Sequence, residues 1–237
     1  MDDLWIALAL LTILPFAPRQ ANVSVRALAY YPFVGVIIGL VLAAANFLLR
    51  LVFPDLLAAT LLIALWTIIT GALHLDGFAD ACDALFVATT RERCLEILRD
   101  VHLGAFGAVG LMLLLITKVA AVASISSVAP LVLASVLGRW AMVYAAAYPL
   151  ARRDGMAALF RAGLSRREIF CATAFAALGV VPFGAFGLAA FATAFFAAML
   201  AARFALARLG GLTGDIYGMI CESVEVAVLL VGAAAIH

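Results

Sequence analysis

Residues 55–83 read DLLAATLLIALWTIITGALHLDGFADACD. The first part of this stretch, 55–72, is largely apolar, and the part that follows carries carboxylates at Asp76, Asp80 and Asp83. A helix that crosses a bilayer needs about 20 predominantly apolar residues. The stretch therefore predicts a membrane helix that leads directly into an acidic segment.

The rest of the chain continues this apolar character. Of its 237 residues, 68% are hydrophobic and 12% are charged. Soluble domains have about 45–50% apolar and about 25% charged residues. Residues 4–16 are apolar but short, and we expect a re-entrant segment, a tilted segment or an eighth span there. No linker divides the chain, so we predict one integral membrane domain over 1–237, all-α and polytopic, with about 7–8 membrane segments. The expected spans lie near 29–52, 55–72, 104–125, 129–149, 169–187, 188–206 and 219–236.

Polar residues are concentrated in three segments, near 73–103, 150–168 and 207–218. Alternate threading of the spans puts all three on one face, and an excess of Lys and Arg marks the cytoplasmic side. We therefore expect a multi-pass protein of the cytoplasmic membrane with its functional site facing the cytoplasm. The acidic start, Met1-Asp2-Asp3, predicts no cleaved leader. A net charge of +1 argues against a nucleic-acid partner.

The three aspartates of the opening stretch have helical spacing. Asp76, Asp80 and Asp83 stand at i, i+4 and i+7, which puts their carboxylates on one face of a helix. Their mutual repulsion would be removed by Mg²⁺, which prefers carboxylate oxygens together with substrate phosphates. The alternative is a solvated acidic face at the membrane surface. His74 lies just before the cluster. It either contacts a phosphate or acts as a base, or it has a purely structural role.

A second acidic set lies near the other end of the chain. It consists of Asp215, Glu222 and Glu225, and the two glutamates fall within the last span. Carboxylates inside a membrane helix are costly and are functional candidates by default. The alternative is that they pair with Arg139 or Lys118, which also lie within apolar spans.

Two further segments have residues suited to an anionic substrate. The first, 91–107, has the pattern of an amphipathic surface helix followed by glycines. The second, 209–215, is a glycine-containing loop whose backbone amides could approach a phosphate. The candidate substrate-binding residues in these segments are Arg99, Asp100, Gly104, Gly107, Gly211, Gly214 and Asp215.

Residues 70–85, Thr-Gly-Ala-Leu-His-Leu-Asp-Gly-Phe-Ala-Asp-Ala-Cys-Asp-Ala-Leu, resemble the signature of the cobalamin synthase (adenosylcobinamide-GDP ribazoletransferase) family. Other motifs of that family are matched in the same order along the chain. They are Leu11–Pro15, Tyr31–Gly39, Arg91–Gly107, Leu209–Asp215 and Glu222–Glu225. The resemblance thus covers the whole chain.

The resemblance implies a reaction and its components. A hydroxyl of α-ribazole, or of its 5′-phosphate, attacks the cobinamide-side phosphorus of adenosylcobinamide-GDP, and GMP leaves. The product is adenosylcobalamin or its phosphate, at the last step of nucleotide loop assembly in coenzyme B12 biosynthesis. The implied cofactor is Mg²⁺. The implied location of the protein is the cytoplasmic membrane. In the implied site, Mg²⁺ is bound by Asp76, Asp80 and Asp83. A second site for a metal or for the acceptor is formed by Asp215, Glu222 and Glu225. The candidates for contact with the substrate phosphates are His74, Arg99 and Arg139.

Two other functions remain open at this point. A CDP-alcohol phosphotransferase-like enzyme also uses aspartates at helical spacing with Mg²⁺, but Asp76–Asp80 lacks the Ala-Arg that follows in that family's motif. A secondary transporter would use intramembrane charges such as Lys118 and Arg139 as coupling sites, although no convincing inverted repeat is present. The sequence leaves open both a homo-oligomer and association with other cobalamin-assembly enzymes.

Overall fold

A computed structural model describes residues 2–14 and 24–235. The described part is helical, and its only β-type contact is an isolated bridge between Leu150 and Leu212. The prediction of an all-α fold is therefore confirmed. The α-helices are α1 (Asp2–Leu11), α2 (Tyr31–Val52), α3 (Asp55–Ile69), α4 (Leu73–Leu85), α5 (Arg91–Ile97), α6 (Ala105–Ser124), α7 (Ala129–Ala145), α8 (Met156–Gly163), α9 (Arg166–Val180), α10 (Gly184–Leu209) and α11 (Gly214–Ala234). Short 3₁₀ turns at Val25–Tyr30 and Val181–Phe183 precede α2 and α10.

Four helical stretches are long and apolar enough to cross a membrane: Val25–Val52, Ala105–Ser124, Arg166–Leu209 and Gly214–Ala234. A fifth is obtained if α3 and α4, which are bent by 93°, count as one span. The chain is thus a multi-pass membrane protein, but the predicted count of 7–8 segments is not confirmed. Helix α7 is apolar but shorter than the other spans.

Two expected spans differ from the structure for local reasons. Residues 169–187 and 188–206 belong to one 44-residue apolar stretch, interrupted by the turn Val181–Phe183. Pro182 lies in that turn, where it removes a backbone donor from the helix. At the N-terminus, residues 4–11 of the apolar segment 4–16 belong to the ten-residue α1, and Pro15 of the Leu11–Pro15 motif lies outside the described residues.

The break between α3 and α4 sets the position of the acidic segment. Gly71 has φ of 61° and Ala72 has φ of 57°, and the left-handed region is uncommon for a residue with a Cβ. The expected span 55–72 therefore ends at Ile69, and the chain turns by 93°. As a result, the three aspartates lie on a separate short helix.

Helix α7 lies at the centre of the bundle and packs against α2, α9, α10 and α11. Helix α4 packs against α11 at two glycines. A Cβ added at Gly77 would lie 2.8 Å from the main-chain oxygen of Asp215, and one added at Gly218 would lie 3.0 Å from that of His74. Small residues at such crossings let helix backbones approach closely. This contact joins the two acidic segments that the sequence separates by more than a hundred residues.

Candidate functional site

The three polar segments of the sequence meet at one end of the bundle. Arg91 Nε donates to the Leu209 carbonyl at 2.6 Å, which joins the first segment to the third. The backbone of Ala151 donates to Leu212 at 2.9 Å, which joins the second to the third. Arg99 and Asp154 form an ion pair of 2.9 Å, which joins the first to the second. Their predicted position on a shared face is thus supported, while the cytoplasmic side of that face stays a prediction.

Helix α4 carries Asp76, Asp80 and Asp83 at the predicted helical spacing. The Asp80 carboxylate lies within electrostatic reach of Asp76, Asp83 and Asp215. Within residues 2–14 and 24–235, the carboxylates of Asp76 and Asp80 make no hydrogen bond or ion pair. Two like charges without a protein counter-charge favour a bound cation.

Asp83 has a different environment from the other two aspartates of α4. Its Oδ2 accepts a hydrogen bond from the backbone of Gly104, and its Oδ1 accepts one from Gly107, each at 2.8 Å. Gly104 is the N-cap of α6 and Gly107 lies in its first turn, where backbone donors lack partners within the helix. Asp83 thus caps α6 from a distance. The predicted substrate contacts Gly104 and Gly107 both bind this carboxylate.

Asp215 and the glycine loop complete the polar end. Asp215 Oδ2 accepts from Thr213 Oγ1 at 3.1 Å and lies 3.5 Å from Arg152 Nη2. Gly211 is needed for chain packing, since a Cβ there would come within 2.6 Å of the Leu150 carbonyl oxygen. A Cβ at Gly214 would meet nothing within 4 Å. Of the two loop glycines predicted to bind substrate, Gly214 therefore has open space beside it.

The charges within the helices form a buried network. Lys118 Nζ lies 2.6 Å from Glu222 and 2.5 Å from Glu225, and it stands 4.6 Å above the ring of Trp66. Arg139 pairs with the other oxygen of Glu225. Two carboxylates thus face two cations in the buried interior, where pairing offsets the cost of burial. The structure therefore has the pairing that the sequence offered as an alternative, and it gives no support to Glu222 and Glu225 as metal ligands.

His74 and Arg139 are buried and only partly satisfied. His74 is 2% exposed, and neither of its ring nitrogens has a hydrogen-bond partner in the described chain. Arg139 is 0% exposed, and its Nε and Nη2 are also without partners there. Unsatisfied buried donors cost free energy. Because Arg139 and His74 are both closed off from solvent, the predicted phosphate contact of each gains no support.

Arg99 and Asp100 lie at the polar end but are bound to other side chains. Arg99 is held by Asp154. Asp100 accepts hydrogen bonds from the ring Nδ1 of His102 at 2.6 Å and from its backbone nitrogen at 3.1 Å. The side-chain hydrogen bond from His102 is the main cause that lowers the pKa of the Asp100 carboxyl. Both predicted substrate contacts thus lie on the expected surface, and they are exposed.

The carboxylates of Asp76 and Asp80 are the donors available to a magnesium ion at this site. Among the described residues, no three His, Cys, Asp or Glu side chains are grouped closely enough to hold a metal. Magnesium sites of phosphate-transferring enzymes do not require this, because the ion commonly takes one or two carboxylates together with substrate phosphates and water. The free carboxylates of Asp76 and Asp80 fit that donor set.

Sequence reasoning missed two residues near these aspartates. Arg152 lies beside Asp215 and belongs to the basic segment 150–168, where an excess of Arg is also expected of a cytoplasmic loop. Tyr217 is buried beside α4, and its hydroxyl has no partner in the described part. Its place two residues after Asp215 was the available signal.

Fold and site together define a helical, multi-pass membrane protein with a carboxylate cluster at its polar end. The family model for cobalamin-5-phosphate synthase matches residues 3–233. Proteins named adenosylcobinamide-GDP ribazoletransferase are similar along nearly the whole chain. The relative from Stutzerimonas stutzeri is 41% identical, covering 97% of this chain and 97% of its own length. The relative from Herpetosiphon aurantiacus is 38% identical, covering 98% of this chain and 96% of its own length. The relative from Roseiflexus is 36% identical, covering 94% of this chain and 86% of its own length.

The chain belongs to the cobalamin-5-phosphate synthase family. The resemblance found in its motifs is thereby confirmed, and so is the prediction that it is a transferase. No solved structure matches the chain significantly.

Proposed function

We propose that this chain transfers the cobinamide phosphate of adenosylcobinamide-GDP to α-ribazole or its 5′-phosphate. The products are adenosylcobalamin, or its phosphate, and GMP. The observation that carries the proposal is the similarity along nearly the full length to ribazoletransferases. The free carboxylates on α4 support it, because a pyrophosphate substrate needs a site for a cation.

The transfer changes no oxidation state, so it needs no redox partner. The acceptor hydroxyl oxygen forms a bond to the cobinamide-side phosphorus, and the bond from that phosphorus to the bridging oxygen breaks. GMP leaves with that oxygen and the electron pair. The hydroxyl proton passes to a carboxylate of α4, Asp76 or Asp80, neither of which has a competing partner in the described chain. A base within hydrogen-bond reach is what such a step needs.

Asp76 and Asp80 would also hold Mg²⁺. When bound, the ion neutralises charge that develops on the phosphoryl oxygens. Asp83 keeps α6 beside this pair through its hydrogen bonds to Gly104 and Gly107. Arg152 lies next to Asp215 and offers a cation to the diphosphate.

We place this polar end at the cytoplasmic face of the cytoplasmic membrane. Its basic residues support that orientation, because Lys and Arg are enriched in cytoplasmic loops. Arg152 and Arg153 belong to this end, as does Arg91. The bilayer is the protein's solvent, and both substrates reach the site from the cytoplasm.

The direct test uses purified protein in liposomes. With Mg²⁺, adenosylcobinamide-GDP and α-ribazole, we expect cobalamin and GMP in equal amounts, and we expect both to vanish on chelation. Cobalamin formation that persists in EDTA would refute the metal requirement. Consumption of a CDP-alcohol with no cobalamin formed would refute the proposed reaction.

A further inference from the structure

A cavity of about 570 Å³ lies on the outside of the bundle, between α1, α9 and the residues that lead into α2. Most of its wall is apolar. Phe33 of α2 and Phe175 of α9 belong to this wall, and their rings meet edge to face at 5.6 Å. Leu4 of α1 and Ala29 extend it. The cavity is distinct from the acidic site, because no aspartate of α4 lines it.

The cavity lies where two membrane spans begin. The apolar stretches Val25–Val52 and Arg166–Leu209 start side by side, since α9 packs against α2 and against the 3₁₀ turn before it. Tyr30 lines the cavity, and Trp5 follows Leu4 in α1; both rings are exposed. Exposed Tyr and Trp side chains are enriched at the level of the lipid headgroups. We therefore place the mouth of the cavity at that level, with the two phenylalanines deeper in the bilayer.

Four charged side chains line the mouth of the cavity. Arg26 and Arg167 bring two guanidinium groups, and Asp3 and Glu168 bring two carboxylates. Glu168 is already engaged, because its Oε2 accepts hydrogen bonds from the hydroxyl and the amide of Ser165. In the part of the chain that the structure describes, the other three side chains form no hydrogen bond or ion pair. Two cations and one anion are thus free to bind a ligand.

These three free groups match one kind of lipid headgroup. A phosphodiester accepts charge-assisted hydrogen bonds from guanidinium groups, and a primary ammonium donates them to a carboxylate. A headgroup with a phosphate and no ammonium would leave Asp3 next to a like charge. A choline headgroup has no N–H to donate to that carboxylate. An inorganic phosphate would leave the apolar wall of Phe33 and Phe175 unoccupied.

We propose that this cavity binds one molecule of phosphatidylethanolamine. Its phosphate lies between Arg26 and Arg167, its ammonium faces Asp3, and its acyl chains follow Phe33 and Phe175 into the bilayer. The volume suits this ligand, because sites for drug-sized molecules enclose roughly 300–1,000 Å³, enough for the headgroup, the glycerol and the first carbons of the chains. The bound lipid joins α1 to α9. The inference does not depend on the proposed reaction.

Cys171 provides a native reporter for the test. It lines the cavity and is exposed, whereas Cys82, Cys94 and Cys221 are buried. The full chain is purified in detergent, and mass spectrometry follows its modification by N-ethylmaleimide with and without added lipid. We expect phosphatidylethanolamine to slow the modification at least about fivefold, and phosphatidylglycerol or phosphatidylcholine at the same mole fraction to slow it less than about twofold. Equal slowing by the three lipids, or slowing by inorganic phosphate, would overturn the proposal.

A pair of neighbouring arginines supplies the matched variants. Arg166 and Arg167 are both exposed in the first turn of α9, but only Arg167 lines the cavity. We expect Arg167→Gln to raise the apparent Kd for phosphatidylethanolamine about tenfold and Arg166→Gln to leave it within about twofold, because a hydrogen bond to a charged group is lost only in the first. Each variant is compared with its own modification rate without lipid. Equal apparent Kd values in the two variants would contradict the site.

A third variant tests the role of the carboxylate. Asp3→Asn keeps the size of the side chain and removes its charge, so the free groups of the cavity become two cations alone. We expect the lipid preference to reverse, with phosphatidylglycerol protecting Cys171 at least as well as phosphatidylethanolamine does. If Asp3→Asn kept the wild-type preference for phosphatidylethanolamine, Asp3 would not recognise the ammonium and the assignment would be wrong.

Discussion

At the scale of single residues, four aspartates that look alike in the sequence have distinct environments. Asp76 and Asp80 have no partner in the described chain. Asp83 accepts two backbone hydrogen bonds, and Asp215 contacts Thr213 and Arg152. Helical periodicity predicted that the first three share a face. It could not predict the capping role of Asp83, because that depends on how a loop more than twenty residues later folds back.

The capping role of Asp83 predicts an effect on stability. Asp83→Ala leaves the amides of Gly104 and Gly107 without an acceptor. We expect a loss of about 2 kcal/mol in the free energy of unfolding, as for hydrogen bonds to a charged group. Thermal unfolding in detergent measures it. Asp80→Asn is the control and should be as stable as the wild type, since it loses no bond and relieves repulsion; equal destabilisation of the two would refute the cap.

At the scale of helices, the buried charges join α6, α7 and α11. The sequence showed that Lys118, Arg139, Glu222 and Glu225 lie in apolar spans, and it offered mutual pairing as one explanation. It could not assign the pairs, because Lys118 and its two acceptors are more than a hundred residues apart. The structure gives Glu225 both cations and Glu222 only the lysine.

This network predicts a large effect of one neutral substitution. Glu225→Gln leaves Lys118 and Arg139 with a single carboxylate between them. We expect a loss of about 3–5 kcal/mol in stability, as for other broken buried pairs. The control is Glu96→Gln, which breaks an exposed pair with Arg93 and should cost less than about 1 kcal/mol. Similar unfolding temperatures for the two variants would contradict the network's role.

The crossing of α4 and α11 predicts an effect on activity. In Gly77→Ala the new Cβ would lie 2.8 Å from the Asp215 carbonyl oxygen, so the two helices must separate. Because a shift of about 1 Å can cost 100-fold in rate, we expect a transfer rate roughly 100-fold lower. Gly179→Ala, whose Cβ meets only Val136 at 3.9 Å, is the matched control. Full activity in Gly77→Ala would show that this contact does not set the site.

At the scale of the whole molecule, composition was enough to predict a helical membrane protein. The span count was not predictable from hydropathy, which does not detect the left-handed backbone at Gly71 and Ala72 or the 3₁₀ turn at Pro182. When apolar residues lie on both sides of such a break, hydropathy does not distinguish one span from two. The three polar segments meet at one end of the bundle, as alternate threading of the spans predicted, although the predicted count of 7–8 spans is not confirmed.

The proposed orientation of the bundle predicts two opposite labelling patterns. A single cysteine at position 96 should react with a membrane-impermeant thiol reagent in inverted vesicles and stay protected in intact cells. A cysteine at position 55, where Asp55 pairs with Arg50 near the α2–α3 turn, should behave in the opposite way. The native cysteines are first replaced by alanine. Labelling of both positions from the same side would refute the orientation.

The central claim is that the unpartnered carboxylates of α4 carry the chemistry. The measurement that tests it most directly is the rate of cobalamin formation by Asp76→Asn and Asp80→Asn in liposomes, with Glu96→Gln as the control. We predict rates at least about 100-fold below the wild type for both, with normal folding, because the loss of a metal-binding or proton-accepting carboxylate costs several kcal/mol in the transition state. The control should keep full activity. A wild-type rate in either aspartate variant would contradict the account.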